Sequence, residues 1–70
     1  MEKKNVTIKG SYIKIDQLLK FVGMVNSGAE VKYIIQEEVV LHNGCRVSQR
    51  GKKVKPGDVV IFRETEINVC

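Results

Sequence analysis

Five cations, Arg46, Arg50, Lys52, Lys53 and Lys55, fall within ten residues, and no acidic side chain interrupts the chain from Val39 until Asp58. Side chains of this kind meet phosphates, arginine through a planar fork of donors and lysine as a compact point charge. Glu30, Glu37, Glu38, Glu64 and Glu66 lie elsewhere, so the net charge of +4 is segregated along the chain. Such a cluster has two readings: a contact surface for a polyanion, or a solvated loop that keeps a small protein soluble.

The other reactive residue types do not assemble into a catalytic pattern. His42 is the only histidine, on a predicted strand beside a turn, with no Ser or Cys partner implied by spacing. Glu37 and Glu38 are adjacent at a predicted helix end and point in different directions, a poor acid–base pair. Cys45 and Cys70 are too few for a disulfide framework or a four-ligand zinc site, even with His42 added, and read as reduced thiols. A sulfur-carrier role for Cys70 would call for a flexible Gly-Gly tail, whereas the run here is Ile67-Asn68-Val69-Cys70. Gly51 stands alone, and Gly23 and Gly28 fall at helix ends, so no phosphate-cradling glycine motif is present. The expectation is a protein with no catalytic residue, no metal site and no cofactor.

Length supports that expectation. Seventy residues make one domain, residues 1–70 with a core over about 6–69, and a chain of this size buries roughly 60% of its unfolded surface. Little room is left for a deep cleft, which favours binding over catalysis. A hydrophobic content of 43% argues for a folded chain. No apolar run approaches the roughly 20 residues of a membrane span, and the polar start MEKKN does not resemble a signal peptide. A cytoplasmic protein with no membrane partner, acting as a monomer, is expected.

The elements that must hold the cations follow from local chemistry. Asn43-Gly44 between Val39-Val40-Leu41 and Cys45-Arg46-Val47 is the dipeptide of a two-residue type I′ hairpin, whose central residues both need positive φ. Lys55-Pro56-Gly57-Asp58 suits a type II turn, with Pro presetting φ and Gly supplying a positive one. Upstream, Met1 to Asn5 reads as charged and frayed, and Val6-Thr7-Ile8-Lys9 as a short strand closed by Gly10-Ser11. Ile15, Leu18, Leu19 and Val22 fall at i, i+3, i+4 and i+7, one stripe of a helix, with Asp16 near its positive end and Gly23 placed as its C′ residue. Ser27-Gly28-Ala29-Glu30 matches a capping box, Ser27 accepting from the N3 amide and Glu30 reaching back to the Ser27 amide. A second helix over about 28–37 then turns Val31, Ile34 and Ile35 inward, with Tyr33 partly buried. Val59-Val60-Ile61-Phe62 is an apolar strand, and Ile67 to Val69 a last one, separated from it by Arg63 to Glu66. The order predicts a small α+β domain with both helices on one side of an antiparallel sheet.

Lys20 and Lys32 extend the basic patch if the helices flank the hairpin, and the Ser27-Gly28 amides open a helix end suited to an anion. Aromatic residues are few, and Phe21 and Phe62 are expected to pack. That argues against a stacking platform for single strands and for recognition of a structured backbone such as folded RNA.

Several runs, spaced in register, carry a resemblance: Ile15-Asp16-Gln17-Leu18-Leu19-Lys20, Ser27-Gly28-Ala29-Glu30-Val31-Lys32, Val39-Val40-Leu41-His42-Asn43-Gly44, Arg50-Gly51-Lys52-Lys53 and Gly57-Asp58. Over about residues 6–62 the chain resembles the S-four RNA-binding domain, also called the alpha-L motif, and within it the short stand-alone bacterial members. It departs from the family pattern at Lys14, Ala29, Val31 and Glu38. The resemblance implies two helices packed on a small bent, mainly antiparallel sheet, with RNA bound across the helix pair and the hairpin. Carried over by position, Lys20, Ser27, Gly28 and Lys32 match the helical part of that surface. Asn43, Gly44, Arg46, Arg50, Lys52 and Lys53 match the hairpin part, with Asn43-Gly44 structural; Lys55 joins them from the charge pattern. The expected function is a non-catalytic, ribosome- and translation-associated module that binds structured RNA, ribosomal or transfer RNA. The alternative is a cationic adaptor docking an acidic protein of the translation or replication machinery.

Overall fold

The computed structural model describes residues 1–70. Nine elements follow one another: β1 (Glu2–Val6), β2 (Ile13–Lys14), α1 (Ile15–Phe21), α2 (Gly28–Glu37), β3 (Val40–His42), β4 (Cys45–Arg46), β5 (Lys53–Val54), β6 (Val59–Phe62) and β7 (Thr65–Val69). Five strands form one sheet in the order β1-β7-β6-β3-β4, while β2 and β5 pair apart as a short antiparallel ribbon. The sheet is mixed, because β1 runs parallel to β7 and every other pair is antiparallel. Two helices and this sheet make a small α+β fold.

Burial alternates along β6 and β7, so that Val60, Phe62, Thr65, Ile67 and Val69 are buried and their neighbours half-exposed. That buried face shares one core with Ile15, Leu18 and Leu19 of α1 and with Val31, Ile34 and Ile35 of α2, the apolar stripes that a 3.6-residue period dictates. The end of α1 is a Schellman motif: Gly23, at φ +80°, donates to the Lys20 carbonyl, and Met24 donates to that of Leu19.

Several expectations need correction. Met1 to Asn5, read as a frayed end, instead supplies most of β1 (Glu2–Val6), and the strand expected at residues 6–9 is absent beyond Val6. Glu2, Lys3, Lys4 and Asn5 give no hydrophobic alternation because β1 is an edge strand held by backbone pairing to a strand some 60 residues away, and charge is what suits an edge. The last strand starts at Thr65 rather than Ile67, since the connection from β6 is only the turn Arg63-Glu64. The capping box is displaced by one residue: Ser27 Oγ accepts from the Glu30 amide at 3.3 Å, whereas Glu30 Oε1 accepts from Asn26, at 2.8 Å, not from Ser27. Phe21 and Tyr33 do not pack; they are 69% and 64% exposed. The cation-rich segment, read as loop, contains β5.

Candidate nucleic-acid interface

The hairpin forms as the Asn43-Gly44 dipeptide requires. Both residues have positive φ, 51° and 85°, and His42 faces Cys45 across the turn. Asn43 also bridges to β6: its amide donates to the Val59 carbonyl and its Oδ1 accepts from the Val59 amide, both at 2.8 Å. Beyond β4, Val47 is buried and donates to the Val40 carbonyl. Val54 of β5 is buried as well, and every residue from 48 to 53 between these two apolar anchors is exposed.

This exposed stretch is tied to α1. The helix follows Lys14, an N-cap residue whose side chain makes no cap, so its first amides must find other acceptors. Ile15 donates to the Lys52 carbonyl at 2.9 Å and Asp16 to that of Arg50 at 3.1 Å. The basic loop therefore caps α1 with its own backbone and leaves its side chains outward. At the far end, the Lys55-Pro56-Gly57-Asp58 turn closes with the Asp58 amide on the Lys55 carbonyl and Gly57 at φ +96°. Asp58 Oδ2 accepts from the Lys55 amide at 2.9 Å and pairs with His42 Nε2 at 2.8 Å. The Lys55 amide foremost, then His42 and Asn43, hold the Asp58 carboxyl down at about 2.

Three shallow concavities adjoin along this surface and share Gln49. One is lined by Arg46 and Lys52 beside His42 and Cys45; the next joins Lys32 of α2 to Arg50; the third gathers Lys52, Lys53 and Lys55. Arg50 also lies over the start of α2, where a Cβ at Gly28 would sit 3.4 Å from its guanidinium nitrogen and 3.5 Å from an Asp16 carboxylate oxygen. Gly28 thus permits the close approach of loop and helix.

Six of the sequence-derived positions, Lys32, Arg46, Arg50, Lys52, Lys53 and Lys55, come together here, with Gly28 beneath Arg50 and Asn43 as scaffold. The Ser27 hydroxyl is committed to its cap. Lys20 stands apart, in the last turn of α1, about 7 Å along the axis from the residues the loop caps. None of these seven lysines and arginines has a carboxylate within 4.0 Å; the ion pairs of the protein are Lys4–Glu2, His42–Asp58 and Arg63–Glu38. Cys45 and Cys70 are free, exposed thiols.

Sequence reasoning missed Gln49, Tyr12 and Lys14. Gln49 is neutral, so a count of charges passes over it. Tyr12 and Lys14 reach the site through the β2–β5 ribbon, in which Lys14 faces Lys53 and the Lys53 ammonium stands 4.9 Å from the Tyr12 ring centre. Two like charges opposed across an antiparallel pair are unfavourable unless an anion neutralises them.

Compared with known proteins, residues 6–70 match the family model described as the S4 domain. The chain is similar to a tyrosine–tRNA ligase of Burkholderia lata, 39% identical over 57 residues that make up 81% of this chain and 14% of the ligase. It is also similar to a probable ribosome maturation protein, RlbA, of Bacillus subtilis, 34% identical over 55 residues, 79% of this chain and 78% of that protein. The chain thus spans a small part of the ligase and most of the maturation protein.

Proposed function

Because this chain belongs to the S4 domain family, we propose that it is a non-catalytic module that binds structured RNA through its phosphate backbone. The observation that carries the reading is the set of six cations, Lys32, Arg46, Arg50, Lys52, Lys53 and Lys55, gathered on and around a backbone-pinned loop without one intramolecular carboxylate partner. A merely solvated loop would not need to be anchored by two buried valines and by the first amides of a helix. The names of the relatives, a tRNA ligase and a ribosome maturation protein, favour transfer or ribosomal RNA and a place beside the ribosome in the cytoplasm.

Affinity on this reading comes mainly from counterion release. Six engaged phosphates give a slope of log affinity against log salt of about −4 to −5, at roughly 0.7 to 0.9 per phosphate. The test is a salt titration against folded RNA, duplex DNA and an acidic protein, with the double variant Lys52→Ala/Lys53→Ala alongside. The loop holds α1 through backbone carbonyls, so the variant keeps its fold. It should weaken RNA binding whatever the sequence and flatten the slope by about 1 to 2. Unchanged RNA binding would remove the loop as the site, and preference for the acidic protein would favour an adaptor role.

A further inference from the structure

Away from the three concavities, a groove between the β1–β2 connection and the end of α1 is lined by Ile8, Lys9, Tyr12, Ile13 and Phe21 among others, with no acidic residue. Phe21 is the most exposed aromatic of the chain at 69%, and Tyr12 is 41% exposed. A water-facing Phe on a helix gains little from folding, and the groove beside it is predominantly apolar where the other three are lined mostly by polar and charged residues. This groove also joins the basic surface directly: Tyr12 is one wall of it, and Tyr12 carries the Lys53 ammonium over its ring. Lys14 opposes Lys53 on the ribbon, Lys9 lines the groove, and Lys20 precedes Phe21 in α1.

We propose that this groove receives a single unpaired nucleobase of the RNA whose backbone lies on the basic loop. The base stacks on Phe21 and Tyr12, and its flanking phosphates meet Lys53, Lys14 and Lys9. Every nucleobase has an apolar π face and every nucleotide an adjacent negative charge, and the groove offers both complements side by side. An acidic apolar peptide would match the same chemistry, but continuity with Lys53 favours an occupant already anchored on the loop. The proposal rests on the RNA-binding reading and adds a preference for helices interrupted by a bulge or an overhang.

The experiment compares a blunt RNA duplex with the same duplex carrying one unpaired adenosine, as a bulge or as an overhang, for the unaltered protein, Phe21→Ala and Phe21→Tyr. The unaltered protein should bind the interrupted duplex about fivefold or more tightly than the blunt one. Phe21→Ala should abolish that advantage while leaving blunt-duplex binding intact, and Phe21→Tyr should retain it. With 2-aminopurine as the unpaired base, fluorescence should fall on binding and not do so with Phe21→Ala. Equal affinity for the two duplexes, or equal weakening of both by Phe21→Ala, overturns the inference and leaves the RNA-binding reading standing. Failure of the unaltered protein to bind any RNA overturns both. Because Phe21 is exposed, its replacement leaves the core intact, and an unchanged circular dichroism spectrum verifies this.

Discussion

Asp58 ties the last turn of the basic segment to the hairpin. One carboxylate oxygen accepts from the Lys55 amide and pairs with the His42 ring across a gap of 16 positions. These partners stabilise the ionised form, which is why the carboxyl falls from its ordinary 3.8 to about 2. The folded-state value lies below the unfolded one, so the stabilisation is fully present above roughly pH 4 and disappears as the pH falls towards 2. Asp58→Ala should cost about 1 to 3 kcal/mol at neutral pH, through an orphaned amide and ring nitrogen. The same variant should show a shallower loss of stability between pH 4 and pH 2 than the unaltered protein. Urea denaturation across that range checks this, and parallel acid limbs for the two proteins would show that Asp58 does not govern the turn.

At the scale of elements, the sheet contains two two-residue hairpins with contrasting chemistry. Asn43-Gly44 has the residues that positive φ favours; Arg63-Glu64 has φ of 50° and 60° with neither Gly nor Asn. Arg63 is compensated: its guanidinium makes two bonds to Glu38, at 2.9 and 2.6 Å, and stands over the Phe62 ring. Those bonds lower the Glu38 carboxyl and raise the Arg63 guanidinium from their ordinary values. They also account for a glutamate at the entry to β3, where its extended backbone, φ −127°, has no need of glycine. Glu64 has no side-chain partner among the hydrogen bonds or ion pairs. Left-handed backbone costs an L-residue about 1 to 2 kcal/mol, partly offset by the extra chain entropy that glycine loses. Glu64→Gly should therefore stabilise the domain by up to about 1 kcal/mol, read as a higher urea midpoint at constant slope. A lower midpoint would mean that the turn is held by something other than its two φ angles.

Across the whole molecule, the two ends of the chain are stitched together. β1 lies along β7 from Glu2↔Thr65 to Val6↔Val69. Beyond that register, Cys70 donates to the Val6 carbonyl at 2.7 Å and Ile8 to that of Cys70 at 3.2 Å. The connection from β1 passes beside the groove of Tyr12 and Phe21 into the ribbon that carries Lys53. Deleting residues 2–5 removes several backbone bonds worth about 1 kcal/mol each, and should lower stability by at least about 2 kcal/mol. Amide exchange along β7 should speed up in the deletion variant. Unaltered protection of β7 would mean that β1 contributes little to the sheet.

Local chemistry alone determined the parts of this protein whose signals lie within a few residues. The stripe of Ile15, Leu18 and Leu19, the Gly23 end of α1, the Ser27 cap, the Asn43-Gly44 hairpin and the Pro56-Gly57 turn are each dictated by neighbours in the chain, and each is legible there. The concentration of cations was legible too, because charge is a property of composition. Three-dimensional contact decided the rest. β1 exists because β7 offers a parallel edge, and a polar edge strand leaves no hydrophobic period to read. Arg63-Glu64 turns because Glu38 and Phe62 receive Arg63, a compensation invisible at the turn itself. The basic loop is pinned to α1 because that helix lacks a side-chain cap of its own and takes the carbonyls of Arg50 and Lys52. Tyr12 and Lys14 join the surface only through the β2–β5 ribbon, two residues wide and some 40 positions apart in the chain. Long-range pairing of backbone groups writes nothing into side-chain pattern, and that is where the tertiary structure had the final word.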